Sequence, residues 1–163
     1  MELNFKIIVL VIGILFTGIT SGLCFTWGNA ITPGIGRLND LVFLQAFQAM
    51  NRVIINPTFL ITFFGPAILL FINAYLHRNN PMQFKFFLAA AILFFVGVAV
   101  ITVTKNVPLN EILDKATLET MTSVELKNLR TTFEEPWNRW HMIRTITSTL
   151  ALLSLIIGLL YNK

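Results

Sequence analysis

The chain has 163 residues, of which 55% are apolar and 12% are charged, and its mean hydropathy is +0.73. Soluble globular domains carry about 25% charged residues, so this chain has about half the charge that a water-facing surface needs. The composition excludes a soluble globule and a disordered chain, and the single cysteine, Cys24, excludes a disulfide scaffold. It indicates an integral membrane protein.

A net charge of +4 is compatible with nucleic acid as a partner, but the distribution of the charge excludes that class of protein. The twelve Lys and Arg residues are spread along the chain and form no basic cluster. Mildly basic loops are instead typical of the cytoplasmic side of membrane proteins. The two histidines, His77 and His141, are far apart, so the sequence has no spacing typical of a metal site and we expect none.

Four apolar segments are each long enough to cross a membrane. Because an α-helix rises 1.5 Å per residue, about 20 residues cover the ~30 Å hydrocarbon core. The segments predict one all-α membrane domain over residues 1–163, a four-helix bundle with spans at about residues 7–27, 58–76, 84–104 and 142–161. The first apolar run is longer than that of a signal peptide, so we expect it to remain as a helix.

Two stretches between the spans, residues 37–56 and 105–138, have the pattern of short amphipathic helices. Polar side chains of the first stretch share one helical face, at Gln45, Gln48, Arg52 and Asn56. The second stretch predicts two short helices, the later one introduced by the capping-box spacing of Thr122 and Glu125. Together the two stretches predict a cap on one end of the bundle.

The charges of the loops predict the orientation, because basic residues in short loops favour the cytoplasmic side. The side that holds both termini and the loop at 77–85 has four basic residues and one acidic residue: Lys6, Arg78, Lys85, Lys163 and Glu2. The opposite side, which holds the cap, has eight basic and seven acidic residues. The sequence therefore predicts a plasma-membrane protein with both termini in the cytoplasm and an extracytoplasmic cap.

One face of the fourth span combines aromatic, basic and hydroxyl side chains. Spacings of three and four residues place them on a single helical stripe: Trp137, Trp140, His141, Arg144 and Ser148. An arginine at the edge of the hydrocarbon costs free energy unless it is paired, hydrated or turned into the bundle. Because its own span has no acidic residue, Arg144 predicts a partner from another helix or an anionic ligand. The alternative is an interfacial belt of Trp, with Arg144 reaching outward to the headgroups.

Two further polar clusters are candidates for the same cavity. The first precedes the second span and consists of Gln48, Asn51, Arg52 and Asn56. It either lines the cavity or faces lipid headgroups. The second cluster, Asn106 and Asn110, follows the third span and either contributes to the site or caps helix ends.

Cys24 has no base or second thiol near it in sequence, so we expect a buried, inert thiol.

Several blocks follow one another in a fixed order around the four spans. They are Thr17-Gly18 to Gly22, Pro33-Gly34, Met50-Asn51-Arg52 to Asn56-Pro57, Asn106-Val107-Pro108-Leu109-Asn110, and Trp140 with Arg144-Thr145. With these blocks the chain resembles, over nearly its whole length, the anthrone oxygenase-like family of small four-helix membrane proteins. One position departs from the family pattern, since His141 follows Trp140 where the family usually has Asn. This substitution does not affect the assignment to the family, but it weakens the transfer of the family's activity and substrate to this chain.

The resemblance implies an activity for the predicted site. Characterised fungal relatives oxidise an anthrone to an anthraquinone with molecular oxygen and without a metal or flavin, so no cofactor is expected. This chemistry needs a base for an acidic C–H proton and a cation for the enolate. With the resemblance, it assigns His141 as the catalytic base and Arg144 as the enolate stabiliser. The implied substrate-binding residues are Gln48, Asn51, Arg52, Asn56, Asn106, Asn110, Trp137 and Trp140.

Two other classes of function are open from the sequence. One is a non-catalytic membrane protein that binds a lipid or small hydrophobic molecule, or assists its transport; the other is a packing subunit of a membrane complex. A transport function would require a polar path to the cytoplasm. Between Arg144 and Lys163, however, only hydroxyl-bearing residues and Asn162 are polar. The expected partners are membrane lipids and a small hydrophobic or aromatic ligand, and the sequence does not set the oligomeric state.

Overall fold

The computed structural model describes residues 4–161, which form five helices and one short 3₁₀ turn at Leu118–Thr120. The helices are α1 (Phe5–Ile35), α2 (Asp40–Ile54), α3 (Pro57–Leu76), α4 (Pro81–Asp114) and α5 (Ser123–Leu160). No β-strand occurs in this part of the chain. All helices except α2 are long and apolar enough to cross a membrane, which confirms the predicted all-α, multi-pass membrane fold with four spanning helices.

The four long helices form a bundle with an aromatic and aliphatic core. Its fully buried side chains include Leu70, Phe87, Phe94 and Leu155. The outward faces are also apolar, as Ile68 of α3 illustrates, which is expected for helices surrounded by lipid. Gly158 lies against the ring of Phe87, where an added Cβ would overlap the ring. The small residue therefore allows the close approach of α5 to α4.

Side-chain caps define where several helices begin. Asn39 precedes α2 and Asn56 precedes α3, and each side-chain oxygen accepts a backbone N–H from the first turn of its helix. Thr122 and Glu125 form the predicted capping box before α5, with 2.7 Å between the Thr122 backbone nitrogen and Glu125 Oε2. Helix α2 ends at Ile54, shortly before Pro57, whose ring disfavours a helical conformation in the residue before it.

The second predicted cap stretch differs from its prediction. Residues 105–114 continue α4, and residues 123–138 begin α5, which is unbroken over 38 residues. Pro136 lies inside α5, where a proline removes one backbone hydrogen bond and here does not end the helix. The prediction of two short separate helices was wrong because polar composition marks the end of a membrane span and not the end of a helix.

Turns of π-helix occur in α1 and α4. One covers Trp27–Ile31 in α1, and α4 has two, at Phe95–Val100 and Thr102–Asn106. A proline stands two positions after the first and the last of the three, at Pro33 and Pro108. A π turn lengthens the hydrogen-bonded ring by one residue, so it widens the helix and shifts the side chains that follow. Such local adjustments accommodate the missing N–H of a proline, which explains how α4 continues through Pro108.

Residues 37–56 and 105–138 pack together at one end of the bundle, and we call this region the head. Its core is aromatic: the ring centroid of Phe47 lies 4.7 Å from that of Phe133 and 4.8 Å from that of Trp137. Both contacts are edge-to-face, the arrangement that aromatic quadrupoles favour. The head contains the residues of the predicted cap, and its extracytoplasmic position remains a prediction.

Arg130 of α5 holds the head against the end of α1. Its guanidinium donates to Gly36 O at 2.7 Å and to Leu38 O at 2.9 Å. It also pairs with Asp40 at 3.0 Å and with Glu134 at 2.7 Å. One side chain thus satisfies backbone carbonyls after α1 and a carboxylate at the start of α2, which fixes both segments to α5.

Candidate functional site

A cavity of about 330 Å³ lies between the head and the four-helix bundle. This volume is typical of small-molecule sites in proteins. All five helices contribute to its walls, and much of the lining is apolar: Leu23, Ile54, Phe59, Leu60, Phe63 and Phe64. The polar groups of the cavity come from α1, α2, α4 and α5, and they determine what it can bind.

Arg144 is a buried cation of this cavity, with 7% of its surface exposed. Its Nη1 donates to Thr102 Oγ1 at 3.1 Å and its Nη2 donates to His141 Nδ1 at 2.9 Å. Its Nε has no hydrogen-bond partner, and no carboxylate within residues 4–161 forms an ion pair with the guanidinium. Because an unpaired buried cation is costly, the cavity favours a ligand with an anionic or strongly accepting oxygen.

His141 holds the guanidinium of Arg144 in place. A guanidinium only donates, so Nδ1 of His141 accepts, and Nε2 carries the proton that it donates to Cys24 O at 2.9 Å. The tautomer is assigned from these partners. The imidazole also stacks on Trp137, with ring centroids 4.8 Å apart and 13° between the planes. Both nitrogens of a neutral His141 are therefore engaged, and its lone pair points at Arg144.

Three unpaired hydrogen-bond donors and one unpaired acceptor surround the cavity. The donors are Arg144 Nε, Asn51 Nδ2 and Trp27 Nε1, and the acceptor is Asn106 Oδ1. Each of these four residues is at least nine-tenths buried. Leaving such a group unpaired costs about 1–3 kcal/mol. Their concentration around one cavity suits a ligand that has more acceptors than donors.

Two of the π turns contain part of this polar set. Trp27 begins the π turn of α1, and Thr102 and Asn106 begin and end the second π turn of α4. All three residues line the cavity. π turns are frequent at functional sites because they redirect side chains inside an otherwise regular helix. The sequence signal for them is a proline shortly after a long apolar run, at Pro33 and at Pro108.

Seven of the ten residues predicted for the site line this one cavity. They are Asn51, Arg52, Asn106, Asn110, Trp137, His141 and Arg144. They come from α2, α4 and α5, so the structure brings together the three polar clusters of the sequence. Arg144 faces inward and does not reach out to lipid headgroups, because it is buried and bonded to Thr102.

The structure places Gln48, Asn56 and Trp140 outside the cavity lining. Gln48 is buried, and its Nε2 donates to Leu113 O at 2.9 Å and thereby satisfies a carbonyl at the end of α4. Asn56 caps α3 by accepting from the backbone of Phe59 at 3.0 Å. The ring of Trp140 lies 5.1 Å from Lys105 Nζ, between α5 and α4. Each of the three has a structural contact that the sequence did not indicate.

Asn106 and Asn110 lie inside α4, so neither caps a helix end as one alternative proposed. Asn106 Nδ2 donates to Trp137 O at 3.2 Å, and Asn110 Oδ1 accepts from Trp137 Nε1 at 2.8 Å. These bonds fix Trp137, whose ring lies 6.1 Å from that of Trp27. The pair of indoles forms an aromatic wall of the cavity.

Sequence reasoning missed several cavity residues, among them Cys24, Trp27, Thr102, Glu111 and Asp114. A signal for the α4 members was present, because Thr102, Asn106, Asn110 and Asp114 recur every four residues and share one face of a continuous helix. It was hidden by the expectation that the helix ends near residue 104. The sequence carried no comparable signal for Cys24, which faces the cavity only because of how α1 packs.

Comparison with known families gives one match. A family model described as anthrone oxygenase matches residues 43–154 of the chain. The matched segment extends from α2 to the last turns of α5 and contains all ten residues predicted for the site. No curated protein and no solved structure matches the chain.

Proposed function

Because this chain belongs to the anthrone oxygenase family, we propose that it is a membrane oxygenase acting on a flat hydrophobic aromatic substrate. The observation that carries the proposal is the unpaired Nε of Arg144, a buried cation facing an otherwise largely apolar cavity. A ketone or enolate oxygen would accept from Nε, with Asn51 Nδ2 as a second donor. The apolar side chains of Phe59 and Phe63 suit the carbon skeleton.

The proposed reaction oxidises the methylene group that lies opposite the ketone in the central ring of the anthrone. One C–H bond breaks, its proton goes to a base, and the resulting enolate is stabilised by Arg144. The enolate gives electrons to O₂, a C–O bond forms, and the peroxide oxygen takes up a proton. Loss of water with the second C–H proton leaves a new ketone. In sum, the substrate and one O₂ give a quinone and one water, so the two oxygen atoms of O₂ end in the ketone and the water.

We propose His141 as the base, with one condition set by its contacts. Its Nδ1 lone pair accepts from Arg144 Nη2, so it accepts a proton only after that bond opens. Nε and Nη2 present N–H groups on the same edge of the guanidinium, so a substrate oxygen that accepts from the free Nε also competes with Nδ1 for Nη2. Binding of the substrate would thus turn Nη2 away from His141 and free the base at the moment when the enolate oxygen needs the cation.

A second candidate is a non-catalytic protein that binds the same class of ligand. The observation in its favour is that both nitrogens of His141 are engaged, so the cavity as it stands presents a fixed cation and no free imidazole base. In that case Arg144, Asn51 and Trp27 would hold an acceptor-rich aromatic molecule without changing it. The two candidates share the ligand and differ only in whether oxygen is consumed.

Oxygen uptake by the protein in lipid nanodiscs with anthrone tests the proposal. We expect uptake above the autoxidation of anthrone in empty nanodiscs, and a loss on the order of 100-fold in Arg144→Leu. The matched control is Arg139→Leu, which removes an exposed arginine from the same helix and should keep the parent rate. If the parent binds anthrone but takes up oxygen no faster than empty nanodiscs, the binding-protein candidate replaces the oxygenase.

We further propose that the protein resides in the plasma membrane with both termini in the cytoplasm. The support is the excess of basic over acidic residues in the two termini and the loop at 77–85. In this orientation the head and the cavity face the outside of the cell.

A further inference from the structure

The rim of the cavity has two chemically different sides. On one side stand the charged residues Arg52, Glu111 and Asp114. On the other side stand Ile55 and Leu60, which line the cavity although 71% and 44% of their surfaces are exposed. The cavity therefore reaches the molecular surface between apolar side chains at the junction of α2 and α3.

The depth of this apolar side in the membrane follows from helix lengths. α3 has 20 residues, which corresponds to about 30 Å and is just enough to cross the hydrocarbon core. Its first two turns, with Leu60 and Phe64, must therefore lie inside the hydrocarbon near its edge. Arg144 lies 16 residues before the end of α5 at Leu160, or about 24 Å along the helix, which is a similar depth.

We propose that the substrate is a membrane-dissolved aromatic that carries a hydrocarbon chain and enters the cavity sideways from the bilayer between Ile55 and Leu60. The oxygen-bearing ring system binds at Arg144, and the chain stays between Ile55, Leu60 and Phe64, in contact with lipid. This inference rests on the proposed function, which it extends from a flat aromatic to one with a lipid-like substituent.

The two sides of the rim differ in how they are held. Arg52 Nε lies 2.6 Å from Asp114 Oδ1, and Arg52 Nη2 donates to Asp114 O at 3.3 Å, so the charged side is bridged between α2 and the end of α4. The side chains of Ile55 and Leu60 have no hydrogen-bonding group, so only van der Waals contacts close the apolar side. A hydrocarbon chain that moves from the bilayer past Ile55 and Leu60 exchanges contacts with lipid for similar contacts with these side chains. To pass the charged side, the same chain would have to enter water, which is unfavourable for an apolar group.

Association measured in nanodiscs preloaded with probe tests the route. The probe is anthrone bearing a dodecyl chain, and the readout is its fluorescence change on binding, which is independent of turnover. We expect Leu60→Trp to fill the apolar side and to slow association about tenfold. Ile61→Trp is the matched control, because Ile61 is 60% exposed on the same turn of α3 but does not line the cavity, and it should keep the parent rate.

Two further rim variants distinguish an effect on access from a folding defect of Leu60→Trp. Leu60→Ala widens the apolar side, so association should be at least as fast as in the parent, and Ile55→Trp should slow it as Leu60→Trp does. Equal rates for Leu60→Trp, Ile55→Trp and Ile61→Trp would overturn lateral access. Slow association in the rim variants with no oxygen uptake by the parent would leave the route standing and reject the oxygenase instead.

Discussion

The two ends of the bundle differ in how their buried polar groups are hydrogen-bonded. Toward the chain termini, Ser154 Oγ donates to Phe86 O at 2.7 Å, and Asn73 Nδ2 donates to Val9 O at 3.2 Å and Leu69 O at 3.0 Å. In the middle of α1, Thr20 Oγ1 donates to Thr62 O at 3.1 Å. These side chains find acceptors on neighbouring backbone and tie the helices together, as polar residues in membrane helices commonly do.

In the described part of the chain, four buried polar atoms at the cavity end have no hydrogen-bond partner, among them Arg144 Nε and Asn51 Nδ2. Among residues 4–161, one comparable atom occurs at the other end, Asn73 Oδ1. Buried polar atoms in proteins are nearly all hydrogen-bonded, so a cluster of exceptions needs a cause. Polar residues near the termini thus tie the helices together, whereas the unpaired atoms at the cavity support the proposed ligand site.

The largest expected effect concerns the side of the membrane on which each end lies. We expect a cysteine in place of Glu119, in the head, to react with a membrane-impermeant maleimide in intact cells, and one in place of Asn79, between α3 and α4, to stay unlabelled. Both positions are exposed, and the natural Cys24 is 2% exposed and gives little background. The opposite labelling pattern would place the cavity on the cytoplasmic side.

The next effect tests whether the cavity end is catalytic. If neutral His141 is the base, the rate of anthrone oxidation should rise with pH as the imidazolium loses its proton. His141→Asn should lower the rate by about 100-fold and remove this pH dependence, because an amide is no base. His77→Asn, half-buried near the other end of the bundle, is the control. An unchanged rate in His141→Asn would assign His141 to the positioning of Arg144 alone.

The spanning helices were predictable because the bilayer imposes a length of about 20 apolar residues, whatever the tertiary contacts. The cost of exposing a cation to hydrocarbon favoured an inward direction for Arg144, but the sequence left an outward reach to the headgroups open. The head was only partly predictable. The sequence predicted two short separate helices in its second stretch, yet π-helical geometry before Pro108 and the tolerance of a single lost bond at Pro136 let α4 and α5 continue.

Which polar residues reach the cavity depended on packing that the sequence does not encode locally. The predicted polar face of α2 extends over several turns, but only the turn with Asn51 and Arg52 lines the cavity. Gln48, one turn earlier, meets the end of α4 instead. A polar stripe on a helix predicts that its residues point in one direction. The length of the neighbouring helix then determines which residues of the stripe contact protein and which line the cavity.

A pair of asparagine variants compares the two ends directly. Asn73→Ala removes two hydrogen bonds from a fully buried side chain and should lower the free energy of unfolding by about 2 kcal/mol, with anthrone affinity unchanged. Asn51→Ala removes an unpaired donor whose burial itself costs free energy, so it should not lower the free energy of unfolding, and it should weaken binding about tenfold. Unfolding in detergent and fluorescence titration measure both quantities. If Asn51→Ala destabilises the protein as much as Asn73→Ala does, the contrast between the two ends is lost.

The smallest expected effect belongs to Arg52, which lines the cavity and also pairs with Asp114. Both side chains are more than half exposed, so the ion pair should contribute at most about 1 kcal/mol, and high salt should remove that contribution. Because its guanidinium is already bonded and in contact with water, Arg52→Ala should weaken anthrone binding only about twofold. Asp114→Ala is the matched control, since it breaks the same pair and leaves the cation. If Arg52→Ala weakens binding tenfold while Asp114→Ala strengthens it, Arg52 is a second cation for the ligand, and the charged side of the rim belongs to the binding site.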